Sequence, residues 1–155
     1  MPAPSSKSAF ARDKEQITFR PASLPGVYSM TVRNGRRCWS ERHERFAFAS
    51  VATDNVAVGT WHYRRWHSQR TRPGTMMLFE PDTLHVTASI EGGGADFDVL
   101  FVEPELVAPW LSEAGYRGAA HLDAPQCADA DVCAAFRALN AELATLLRIA
   151  SSAAK

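Results

Sequence analysis

A chain of 155 residues with 17 basic and 17 acidic side chains has a formal net charge of zero, so nothing in its overall balance attracts nucleic acid or an anionic membrane. That length suits one domain with its own core and is too short for two full ones. Cys38, Cys127 and Cys133 form an odd set without CxxC spacing, which argues against a disulfide framework and a zinc knuckle, and no apolar run resembles a signal peptide or a membrane span; a reducing cytoplasm is the expected location.

Residues 1–16 are polar and weakly patterned and read as a flexible N-terminal arm, which could extend to about Arg20. From Ile17 to Val102 the chain keeps reversing. Asn34-Gly35 is a strong hairpin signal, because a tight type I′ turn needs positive φ at both central positions, and it predicts that Val27–Arg33 pairs with Arg36–Trp39. Thr53-Asp54-Asn55 predicts a second hairpin between Phe46–Val51 and Val56–Tyr63. Further strands are expected at Thr75–Glu80, His85–Ile90 and Phe97–Val102, the last two separated by a glycine turn at 91–94. Short strands at about ten-residue spacing indicate an antiparallel sandwich or barrel.

The most informative stretch is Arg72–His85, a Pro-Gly turn, a strand, a second turn at Pro81-Asp82 and a strand opening with histidine. Such a unit places a polar side chain at the mouth of an apolar cavity. Beyond Glu103, Pro104 suits a first helical position and Gly115 a stop, with a kink or restart expected at Pro109. Asp129 can cap a longer second helix. Its apolar residues Val132, Phe136, Leu139, Leu143, Leu146 and Ala150 draw one stripe, which either docks on the chain's own barrel or pairs with a twin helix.

Arg42-His-Glu-Arg-Phe46, Pro73 to His85, Leu100 to Val107, and His121-Leu-Asp-Ala-Pro125 ahead of the Asp129 helix occur in an order that resembles the effector-binding domain of AraC/XylS-type bacterial transcription regulators. The resemblance covers roughly residues 17 to 150. It implies a mainly β protein, a cupin-like double-stranded β-helix barrel over residues 17–102, followed by two C-terminal helices in a helical subdomain over residues 103–150. The barrel would bind a small-molecule effector. The helices would form a homodimer through Val132, Phe136, Leu139, Leu143 and Leu146. The resemblance further implies that DNA is reached only through a helix-turn-helix domain, which is missing from this sequence, as expected of a sensor fragment; no membrane partner and no cofactor are expected.

Within that frame the expected ligand-binding residues are His43, Phe46, Trp61, Tyr63, His85 and Arg45. His43 and His85 would supply hydrogen bonds at the pocket or its rim. Phe46 shares a strand face with Phe48, and Trp61 with Tyr63, so either pair could line a pocket or be plain core. Arg45, or Arg42 beside it, could hold a carboxylate effector with its two-pronged guanidinium. Cupin enzymes hold a metal with histidines and a carboxylate at comparable places, and Glu41, His43 and His85 would be the set here. No metal is expected. The competing reading is a free-standing metal-dependent cupin enzyme, a dioxygenase or isomerase. No nucleophile elbow and no activated cysteine appears, so the preferred reading is not an enzyme.

Overall fold

The computed structural model describes residues 14–153 apart from 23, 55, 63, 91, 92, 119, 120 and 123, and at positions 62 and 146–153 it describes the backbone alone. The strands are β1 (Gln16–Pro21), β2 (Val27–Gly35), β3 (Trp39–Glu41), β4 (Phe46–Val51), β5 (Val56–His62), β6 (Arg65–Arg70), β7 (Met76–Phe79), β8 (His85–Ser89), β9 (Ala95–Val102) and β10 (Gln126–Cys127); the helices are α1 (Pro104–Glu113) and α2 (Ala130–Ala153). One antiparallel sheet runs β1-β2-β9-β4-β7-β10 and a smaller one β3-β8-β5-β6. The expected mainly β barrel with two C-terminal helices is the architecture found. No described helix is long and apolar enough to cross a membrane.

Neither predicted hairpin forms. β2 pairs with β1 and β9, whereas β3 lies beside β8 in the other sheet. Asn34 does take a left-handed φ of 54°, but inside an irregular stretch of β2 where its N–H donates to Asp96 Oδ1 at 2.8 Å. Both edges of β2 are already occupied, so the chain leaves the sheet instead of turning back along it. Likewise β4 pairs with β7 and β9 while β5 pairs with β6 and β8. β5 instead forms a hairpin with β6, turning at Arg64, whose φ is 62°. β1 is a strand that follows β2 from Gln16 opposite Arg33 to Pro21 opposite Tyr28, so residues 16–20 belong to the sheet; residues 1–13 of the expected arm lie outside the described residues.

Strands β4, β7 and β9 at the centre of the larger sheet are buried on both faces, which explains their mostly apolar sequences. On the inner face Val32, Ala47, Ala49, Val51, Met77, Phe79, Phe97 and Val99 meet Val56 and Val58 of the smaller sheet. On the outer face Val27, Met76, Leu100 and Val102 pack against Cys133, Phe136 and Leu143 of α2. Period-two alternation assigns neighbours such as Met76 and Met77 to opposite cores.

Asp129 caps α2, its Oδ1 accepting from the N–H groups of Asp131 and Val132 at 2.9 and 3.1 Å. α1 runs on through Pro109 without restarting, and Gly115 with φ 82° follows its end. The stripe expected for dimerisation is divided. Phe136 and Leu143 are buried against the barrel together with Cys133, so they are unavailable to a partner, and the true inner face is rotated one residue from the expected one. Val132 and Leu139 are exposed, and the Leu146 side chain lies outside the described residues.

Candidate functional site

At one end of the barrel an inner chamber of about 40 Å³ opens into a vestibule of about 510 Å³. The chamber is walled mainly by carbon: Met30, Ala47, Ala49, Met77, Phe79, Phe97, Val99 and Phe101, with Trp39 and Thr87 completing it. Alanines at 47 and 49 leave space where larger side chains would fill the barrel, because β4 turns its small residues inward and its phenylalanines outward. Glu41, His43, Met30 and Phe101 line both spaces, and Phe19, Ser40, Arg42 and Arg45 line only the vestibule.

His43 sits in the loop between β3 and β4. Its backbone carbonyl accepts from the Asp82 N–H at 2.8 Å, so the Pro81-Asp82 turn, with Asp82 at φ 58°, pins the loop. Its Nδ1 lies 2.7 Å from the Arg45 carbonyl oxygen, and its ring stands edge-on to Phe101 with centroids 5.2 Å apart. His85 opens β8 directly across from Glu41 of β3. Its ring is 6% exposed and stacks on Phe79 at 4.2 Å between centroids. The two imidazole centroids are 5.0 Å apart. His43 Nε2 and His85 Nδ1 are both buried and have no hydrogen-bond partner. Burial in this apolar wall, reinforced by the neighbouring His43, lowers the His85 pKa to about 4, so the ring is neutral at pH 7.

Other expected site residues are placed elsewhere. Phe46 is buried on the outer face of β4, where it lines a groove with Pro81, Pro104 and Leu111, because Ala47 and Ala49 hold the inner face. Trp61 is 48% exposed on the outside of the smaller sheet and packs edge-on against Trp66, 5.9 Å away. Gly59 beneath them has no room for a Cβ, which would fall 2.2 Å from the Trp66 ring. Tyr63 lies outside the described residues. Arg45 reaches the vestibule, but its guanidinium is held by Glu103 at 2.6 Å and lies over the Tyr28 ring at 4.6 Å, and Glu103 raises its pKa. Trp39, Met30, Met77 and Phe101 were not singled out from the sequence as pocket residues; they come from distant strands that only the sheet order brings together.

Among the described residues no group of three or more His, Cys, Asp or Glu side chains could hold a metal ion, and Nδ1 of His43 is already taken by a backbone carbonyl. Glu41, His43 and His85 face one chamber without converging on a point.

The family model described as the AraC-like ligand binding domain matches residues 58–154. No curated protein matches the chain. Among solved structures, one variant of the oxalate decarboxylase of Bacillus subtilis is 14% identical, with a TM-score of 0.45 over 59% of this chain and 29% of that one. Another structure of that enzyme is 12% identical, with a TM-score of 0.45 over 67% and 34%. Vicilin of hazelnut, Corylus avellana, is 10% identical, with a TM-score of 0.44 over 51% and 23%. The chain therefore spans about a third or less of the length of these structures.

Proposed function

The chain belongs to the AraC-like ligand-binding domain family, and from that premise we propose that it is the sensing domain of a bacterial AraC-type transcription regulator, binding a small-molecule effector at the barrel mouth. The observation that supports this most is the pair of imidazoles, each with a buried, unpartnered nitrogen, that line an apolar chamber beside a roomy vestibule. A buried polar atom without a partner is costly, so a bound molecule that satisfies both gains affinity and orientation. In this reading DNA is contacted by a separate helix-turn-helix domain, and the protein works in the cytoplasm. An effector shifts the regulator only through tighter binding to one arrangement.

The apolar surface left beside α2, formed by Trp110, Val132 and Leu139, supports a homodimer with a second copy across that groove. Sedimentation of the purified chain tests it, with Leu139→Glu expected to shift a dimer to monomer. The test of the sensor reading is a thermal-shift screen of small metabolites. A stabilising compound whose effect disappears in both His43→Ala and His85→Ala is expected; a screen in which every hit survives both changes refutes the placement. Stoichiometric iron or manganese lost on His43→Ala would instead favour the enzyme reading.

A further inference from the structure

The unpartnered nitrogens also define the kind of group the chamber accepts. A carbonyl oxygen can only accept, so the contact from His43 Nδ1 to the Arg45 carbonyl at 2.7 Å puts the ring proton on Nδ1 and leaves Nε2 as a bare lone pair. In His85, 6% exposed, Nδ1 is likewise buried without a partner. The Glu41 carboxylate adds acceptors beside the two rings. The guanidinium that could have balanced an anion, Arg45, lines only the vestibule and is held by Glu103.

We propose that the His85 ring proton sits on Nε2 and that the chamber binds the amino head group of an otherwise apolar effector, one N–H donating to His43 Nε2 and another to His85 Nδ1, while carboxylates and other anions are excluded. The volume agrees. About 40 Å³ holds a few water-sized positions, since one needs roughly 10–15 Å³, which suits a head group of two or three heavy atoms and not a ring. The apolar body then lies in the vestibule against Phe19, Met30 and Phe101. Absent an effector, water can satisfy the two nitrogens, and the head group replaces it.

This inference rests on the barrel mouth being the effector site, and its test separates the two. Purified chain is titrated with benzyl alcohol, benzylamine, benzyl methyl ether and benzoate, read by protein NMR, and the histidine ring nitrogens are assigned by their proton couplings. Benzylamine is expected to bind on the order of tenfold more tightly than the ether and benzoate, which leave both acceptors unpaired, with benzyl alcohol, whose single O–H pairs one of them, in between. That preference is expected to vanish in His43→Phe and in His85→Phe; the ring assignments on the unaltered chain need no variant to fold. Equal binding of all four probes, or a proton on His43 Nε2 or His85 Nδ1, overturns the donor specificity while leaving the sensor reading in place. Failure of every probe to bind at millimolar concentration, or binding that leaves water between both nitrogens and the probe, overturns it as well, and the former also removes support for the site itself.

Discussion

Acidification probes the buried His85 directly. In the folded protein its pKa is lowered to about 4, against an ordinary value near 6.5, because burial penalises the charged ring and His43 adds repulsion. The unfolded chain therefore takes up a proton at His85 that the folded chain refuses. Stability from this group is complete above about pH 6.5, declines by up to about 1.4 kcal/mol per unit as the pH falls, and levels off below about pH 4. The whole loss is roughly 3 kcal/mol, a large fraction of a small domain's stability. The assay is urea unfolding at a series of pH values, comparing the unaltered chain with His85→Phe, whose ring keeps the stack on Phe79 and does not titrate. The difference between the two curves should change by roughly 3 kcal/mol across that window, with the variant gaining relative to the unaltered chain as the pH falls. Parallel curves would refute the reasoning, showing that His85 protonates as easily folded as unfolded.

Phe136→Ala should cost about 3 kcal/mol or more in urea unfolding, as expected for emptying a packed site, whereas Leu139→Ala should change monomer stability by less than about 1 kcal/mol; the reverse order would show that α2 docks by its other face. Arg45→Ala should lower stability only slightly, by about 0.2–1 kcal/mol for a partly exposed pair, yet speed amide exchange at the start of α1, where Glu103 loses its tether. Gly59→Ala should displace the Trp66 ring, seen as a shift in tryptophan emission with a modest loss of stability, and an unchanged spectrum would contradict the close contact.

Strand positions were legible because apolar runs and turn residues mark them, and β7, β8 and β9 fall almost where the sequence puts them. Strand partners were not. A left-handed Asn34 turns the chain equally well within one sheet or out of it, and which occurs depends on whether β2 has a free edge, a fact held by residues more than sixty positions away. His43 and His85 were legible because Arg42–Phe46 and the turn–strand–turn unit ending at His85 carry the family resemblance, and the Pro81-Asp82 turn holds the His43 loop through the Asp82 N–H. Phe46 and Trp61 misled because strand alternation gives two faces without saying which is inside. With the centre of one sheet buried on both sides, the large aromatic is no guide; the alternating alanines of β4 were the readable sign of a hollow. β6 was missed since its side chains are mostly exposed and polar, which carries no core signal.

The sheet order has a consequence for how the chain acquires its shape. β9 is the last long strand made, yet it lies between β2 and β4 and is hydrogen-bonded to both. Until it arrives, each of those strands has an open edge and the inner core has no wall to close against. Assembly thus waits for partners far apart along the chain, a search that pushes refolding towards the millisecond-to-second range typical of such topologies. A fragment that begins at β5 carries β9 without either of its neighbours, and for want of them it should remain unfolded or aggregate through the bare strand.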